Sequence, residues 1–248
     1  MQGQKRDAPV GPEDPPGEQA IIAGLGKRNL TERSRWLVPA ASSGSKTVFT
    51  ALAALYPTHN DIQYEVLDAM KELNARTNGA CAAEFSAALQ AEYGRLPADS
   101  PVMQSRFLLD LLCYTIRAPK GLQPLVQWIR GLVESKALQI ADPLAQNILA
   151  LADLALGASG DAAALKRAVE AWLAGKLMEG SELIAVCTDL RTPELWHPLQ
   201  KVLHAEPDRD DWLALAMAYL DYAAALKRPP DPDLLARYRE LAAMPFRE

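Results

Sequence analysis

Apolar residues recur along this chain at steps of three and four, the spacing that places them on one face of an α-helix. The pattern is densest between Ser100 and Lys136. Met103, Phe107, Leu111 and Tyr114 follow one another at that spacing, and Leu108, Leu112 and Ile116 widen the stripe. A helix apolar over most of its girth is expected near the centre of a fold. Ser100 is placed to cap it, and Pro101 suits its first position, where a missing N–H costs nothing. Ala118-Pro119-Lys120-Gly121 breaks it. Leu122, Leu125, Val126, Ile129, Leu132 and Val133 then mark a one-sided second helix. Phe107, Leu111, Leu125 and Ile129 of this pair, with Leu151 and Leu215 farther along, are predicted to be nearly fully buried.

The same period runs through the rest of the chain. Ala20 to Ala23 starts a short helix that Gly24 and Gly26 weaken by roughly 1 kcal/mol each relative to Ala. Thr31 is placed to cap another, carrying Trp36 and Leu37, and Ala40 to Lys46 reads as a loop. Val48, Leu52 and Leu55 mark the next helix, ended by Pro57. Ile62, Val66, Met70 and Leu73 mark one capped by Thr58 or Asn60. Asn78-Gly79 is a turn, and the helix of Cys81, Phe85 and Leu89 closes at Gly94. Further stripes begin at Asp142-Pro143, before Leu165, after Gly180-Ser181, near Leu195, at Asp208 and at Asp231-Pro232. The prediction is an all-α chain with more than about 60% helix and no sheet. It would be built as stacked helical hairpins, either an α-solenoid of the HEAT or tetratricopeptide kind or a multi-helix bundle. Residues 1–17, polar and rich in Pro and Gly, read as a disordered tail. Residues 18–248 read as one domain, with a possible sub-boundary near 94–99.

A weak internal period supports the hairpin reading. Trp128-Ile129-Arg130-Gly131 returns 44 residues later as Trp172-Leu173-Ala174-Gly175, each time in the second helix of a pair. That interval suits a two-helix repeat, so the two Trp side chains are expected in equivalent, buried places. A capping residue followed by proline also recurs, at Ser100, Asp142, Thr192 and Asp231. Trp212-x-x-Leu215-Ala216-x-x-Tyr219 nearly matches the first helix of a tetratricopeptide repeat, with Ala at the usual Gly. Pro229-Pro230-Asp231-Pro232 makes the following loop too long for that repeat, and the chain is not assigned to the family.

Composition narrows the picture. The 248 residues are 49% hydrophobic with a net charge of −5, so no overall basic field favours nucleic acid or anionic lipid. No apolar run reaches the roughly 18 residues of a membrane span, and no signal-peptide core is seen, so membrane insertion and export are not expected. Cys81, Cys113 and Cys187 are odd in number and far apart, which points away from a disulfide framework and toward a reducing cytoplasm.

Candidate chemistry is sparse. Gly44-Ser45-Lys46-Thr47 lacks the Gly-Lys pair and the earlier Gly of a phosphate-binding loop, and reads as a capped helix start. Ser43-x-x-Lys46 lacks the companion motifs of a lysine-activated serine. His197 and His204 are seven apart, about 10 Å along a helix, too far to share a metal as an i, i+4 pair does. Asp208, Asp210 and Asp211 lack a carboxylate at 214 to complete a diphosphate-binding pattern. No cofactor and no metal are expected. The leading expectation is a non-catalytic protein–protein interaction module, a scaffold, adaptor or regulatory subunit, whose partner is another protein or peptide. Trp196, His197 and Trp36 are its candidate contacts. Trp196 is the one expected to be exposed, because Leu195, Leu199, Val202 and Leu203 already form its helix's apolar stripe. The alternative is a helical enzyme with a pocket between helices, assembled from His59, His197 and carboxylates such as Asp61.

Overall fold

Local sequence signals account for most helix boundaries in the computed structural model, in which residues 16–56, 62–205 and 209–243 are described. Helix makes up 74% of the described residues, and no strand occurs among them. All but the last two residues of the expected tail, and the proposed caps Thr58, Asn60 and Asp208, lie outside the described residues. The chain divides into two compact units, the first ending at Glu92 and the second starting at Tyr93.

The first unit holds α1 (Glu18–Leu25), α2 (Leu30–Ser34), α3 (Leu37–Ser42), α4 (Lys46–Leu55), α5 (Gln63–Arg76) and α6 (Ala82–Tyr93), whose last residue opens the second unit. Asn29, not Thr31, caps α2: its Oδ1 accepts from Thr31 N at 2.9 Å and Glu32 N at 3.2 Å. The segment expected as a loop from Ala40 is helical through Ser42, because Pro39 falls in the first turn of α3, where it removes no helical bond. Ser45 caps α4 by accepting from Val48 N at 3.3 Å. Asn78 and Gly79, at φ 57° and 84°, make the expected turn. Phe49 and Phe85 meet edge-on at 6.0 Å in the middle of this unit, with Leu52, Val66, Met70, Leu73 and Leu89 buried with them.

The second unit holds α7 (Pro101–Arg117), α8 (Gln123–Glu134), α9 (Asp142–Ala158), α10 (Ala162–Leu173), α11 (Gly180–Asp189), α12 (Trp196–Ala205), α13 (Arg209–Leu226) and α14 (Pro232–Ala242). Helices α7, α9, α11 and α13 follow one another as neighbours, and α8, α10, α12 and α14 each pack on an adjacent member of that row. Consecutive helices α9 and α10 pack closely as a pair, whereas α8 packs chiefly on α9 and α12 packs on α13. The centre of the unit is α9 rather than α7. Every residue from Ala150 to Gly157 is buried, because a run of Ala, Leu and Gly lets α7, α8, α10 and α11 approach from several sides. A Cβ built on Gly157 would lie 2.9 Å from Leu165 Cα, so α9 and α10 touch nearly backbone to backbone there.

The core expectation holds for Leu111, Leu125, Ile129 and Leu151. Phe107 is only half-buried, and Met103 is exposed. The buried face of α7 is instead Ser105, Leu108, Leu111, Leu112, Thr115 and Ile116. Two hydroxyls fit there because each bonds backward into its own helix, Ser105 to Val102 O at 3.1 Å and Thr115 to Leu111 O at 2.8 Å. Leu215 is also half-buried, at the edge of the α13 face formed by Trp212, Ala216, Tyr219 and Ala223.

Trp128 and Trp172 are both half-buried, with different neighbours. Trp128 stands edge-on to Tyr93 at 5.3 Å, whereas Trp172 lies over Gly180. Of the four capping-residue–proline pairs, only Asp231 caps through its side chain, accepting from Asp233 N at 2.9 Å and Leu234 N at 3.3 Å. Ser100 makes no such bond, Asp142 is already inside the first turn, and Thr192-Pro193 precedes α12 by a turn.

Candidate functional site

In the first unit, α2 and α3 together face α5 across an open cleft of about 360 Å³. Its walls are Ser34, Leu37, Val38 and Ala41 on one side and Glu65, Asp68 and Ala69 on the other. Leu37 and Ala69 are buried and form an apolar floor. Val38 stays 74% exposed, and Tyr64, one residue before Glu65, is 82% exposed. Glu65 and Asp68 are exposed, and Asp68 pairs with Lys71 of its own helix at 3.4 Å.

Trp36, a candidate contact, lies close by but turns toward α1. Its ring rests on Gly24, where an added Cβ would come within 2.1 Å of it. Gly24 therefore gives Trp36 its seat, and Trp36 is half-buried. The basic residues near it in sequence are split: Lys27, Arg28 and Arg35 are exposed, whereas Arg33 is 6% exposed and donates from Nη2 to Lys27 O.

The second unit separates the other two candidates. Trp196 is 7% exposed, against the expectation that its helix would leave it outside. α12 is short, and α13 lays Tyr219 and Tyr222 against the Trp196 ring at 5.2 and 6.1 Å, with the Arg228 guanidinium 5.5 Å from its centre. His197, the next residue, is exposed. His204 lies 3.6 Å from Asp231, whose carboxyl is held below its usual range chiefly by the Leu234 amide, with the Asp233 amide and His204 adding to this. His59 and Asp61 of the enzyme alternative lie outside the described residues. Among the described residues, no group of three His, Cys, Asp or Glu side chains is placed to hold a metal.

Two polar clusters carried no signal in the sequence. Asp153, enclosed within α9, accepts from Arg130 of α8 and from Arg167 of α10, the latter at 2.7 Å. A buried carboxylate needs such partners, since desolvation alone would penalise its charge. Asp153→Ala is expected to lower stability by about 1.5–3 kcal/mol, the range for hydrogen bonds to charged groups. It stays below the cost of breaking a fully buried pair because Arg167 is half in water. A urea midpoint that does not move would show the clamp to be ornamental. The second cluster is Asn147, whose Oδ1 accepts from Met178 N at 3.0 Å and whose Nδ2 donates to Glu179 at 3.4 Å, tying the loop after α10 to α9.

The cysteines are placed as packing residues. Cys81 and Cys187 are buried, and burial pushes the Cys187 thiol up to about 12. Burial, with the charges of Glu179 and Glu182, also raises Cys113. A nucleophilic cysteine needs the opposite shift. With a colorimetric thiol reagent at neutral pH, the folded chain is expected to react slowly, at Cys113 before the other two, and all three should react at once in denaturant. A single fast, stoichiometric thiol in the folded chain would contradict this.

No helix among the described residues is long and apolar enough to cross a membrane. No protein-family model, curated protein or solved structure matches the chain.

Proposed function

We propose that the chain is a protein–protein interaction module of a reducing, cytoplasmic compartment, acting as a scaffold, adaptor or regulatory subunit without a catalytic step of its own. The observation that carries this reading is Val38, a wall residue of the first unit's cleft left 74% exposed, with Tyr64, next in sequence to the lining Glu65, 82% exposed. Apolar surface collected beside a concave floor is what a partner's side chains cover. The row of neighbouring helices α7, α9, α11 and α13 in the second unit adds support by analogy, since helical solenoids commonly present a surface to proteins or peptides. Trp196 leaves the list of contacts because it is enclosed; His197 and the exposed edge of Trp36 remain on it.

The test is capture from the native host with the full chain as bait, comparing wild type with a Val38→Asp, Tyr64→Ser variant. Both side chains are exposed, so the variant is expected to melt with the wild type. It should lose a specific partner that the wild type retains. Retention of every partner by the variant would overturn the assignment of this surface. Turnover on a substrate panel would overturn the non-catalytic reading itself.

A further inference from the structure

The cleft between α2–α3 and α5 has a composition that selects its occupant. Its floor is apolar, and among the described residues its lining charges are Glu65 and Asp68, with no lining cation. We propose that this cleft binds one face of a short amphipathic helix in which Lys or Arg flanks one or two large apolar side chains. The assignment deepens the interaction-module reading and rests on it.

Size and shape favour a helical turn. About 360 Å³ is at the small end of ligand pockets and is filled by a few side chains. The wall residues Leu37, Val38 and Ala41 stand at steps of one and three along α3, and Glu65, Asp68 and Ala69 at steps of three and one along α5. Both walls are thus single helical faces. α3 and α5 pack directly on each other, and a third helix laid over the groove along their seam is the helix-in-groove mode of recognition, read through anchors at i, i+3 or i+4 and i+7. An extended strand would need a sheet edge, and no strand exists among the described residues.

Charge sets the sign of the partner. Two carboxylates on one wall repel phosphate, so nucleic acid and anionic lipid are disfavoured on this face, and a cationic peptide is favoured. Asp68 is largely in water and its pair with half-buried Lys71 is long, at 3.4 Å, so an incoming ammonium or guanidinium can still reach the carboxylate. Val38, 74% exposed, is then the apolar anchor that the partner's own apolar residue covers.

The test uses two labelled, helix-capped synthetic peptides with the same leucine spacing, one with lysine and the other with glutamate at the flanking positions. Each is titrated with the full chain and followed by fluorescence anisotropy at low and high salt. The lysine peptide is expected to bind, more weakly at high salt, and the glutamate peptide to stay free. Reversal of the wall, Glu65→Lys with Asp68→Lys, should weaken the lysine peptide by about tenfold or more and let the glutamate peptide bind. The same change of net charge at Glu170 and Asp189, exposed in the second unit, should leave affinity within about twofold. A neutral pair, Glu65→Gln with Asp68→Asn, gives an intermediate loss and serves if the reversed pair misfolds.

Equal loss from the wall reversal and the second-unit reversal would overturn the cleft assignment while leaving the interaction-module reading in place. So would lysine-peptide binding indifferent to the wall. Wild-type binding of the glutamate peptide would overturn the charge argument. If removal of residues 1–15, which carry Lys5-Arg6, tightens the lysine peptide about tenfold, the occupant is the chain's own head and the separate-partner assignment falls. The wider reading fails separately, if turnover is found in the capture experiment above.

Discussion

Trp196→Ala is expected to lower unfolding free energy by about 3–5 kcal/mol, the cost of emptying a large aromatic site. The ring is 7% exposed and packs against Tyr219 and Tyr222 of α13, so its loss leaves a cavity between α12 and α13. Arg228 loses its aromatic face as well, a contact worth about 0.5–1 kcal/mol at exposed sites. The cavity does not close easily, because its neighbours are fixed by hydrogen bonds. Tyr219 Oη accepts from Gln200 at 3.1 Å and from Asp231 N at 2.9 Å, and Tyr222 donates to Thr192 O. Trp196→Phe should lose less, since a ring remains in the stack. The measurement is urea unfolding followed by far-UV circular dichroism. A urea midpoint unchanged by Trp196→Ala would return the ring to the surface and reopen its candidacy as a contact.

Leu151→Ala is the second large effect, about 2–5 kcal/mol from lost transfer energy and the cavity left behind. Leu151 is fully enclosed in α9, and α9 is the helix on which four others pack. The cavity persists because Gly157 already holds α10 at near backbone contact and Asp153 ties α9 to α8 and α10 through two arginines. Neither brace can slide inward to fill it. Leu173→Ala on α10 is the control: at 49% exposure it should cost less than about 0.5 kcal/mol. Equal effects at the two sites would remove α9 from the centre of the second unit.

The helical period was legible wherever one face of a helix meets a core and the other meets water. Leu125, Ile129 and Val133 on α8 are buried as the stripe requires, while Gln127 and Glu134 stay exposed. Capping was legible only in part. Ser45 and Asp231 cap, but Asn29 took the place expected of Thr31, since an N-cap is set by where the backbone leaves the extended region as well as by side-chain chemistry. The candidate site was harder to read. Val38 directly follows the buried Leu37 in the sequence, and nothing in the spacing marks it as the one that α5 leaves uncovered.

By itself, then, the sequence determined the all-α class, the positions of most helices and the apolar face of each, because those follow from interactions between residues three and four apart. The tertiary structure alone decided which helix lies at the centre, which tryptophan is enclosed and where an apolar surface stays open. α9 became the hub because small residues let its neighbours come close, a property of fit between helices. Trp196 was buried by Tyr219 and Tyr222, residues of another helix that its own periodicity cannot report. Burial depends on what arrives from elsewhere in the chain, and helical periodicity carries information only about neighbours along one helix.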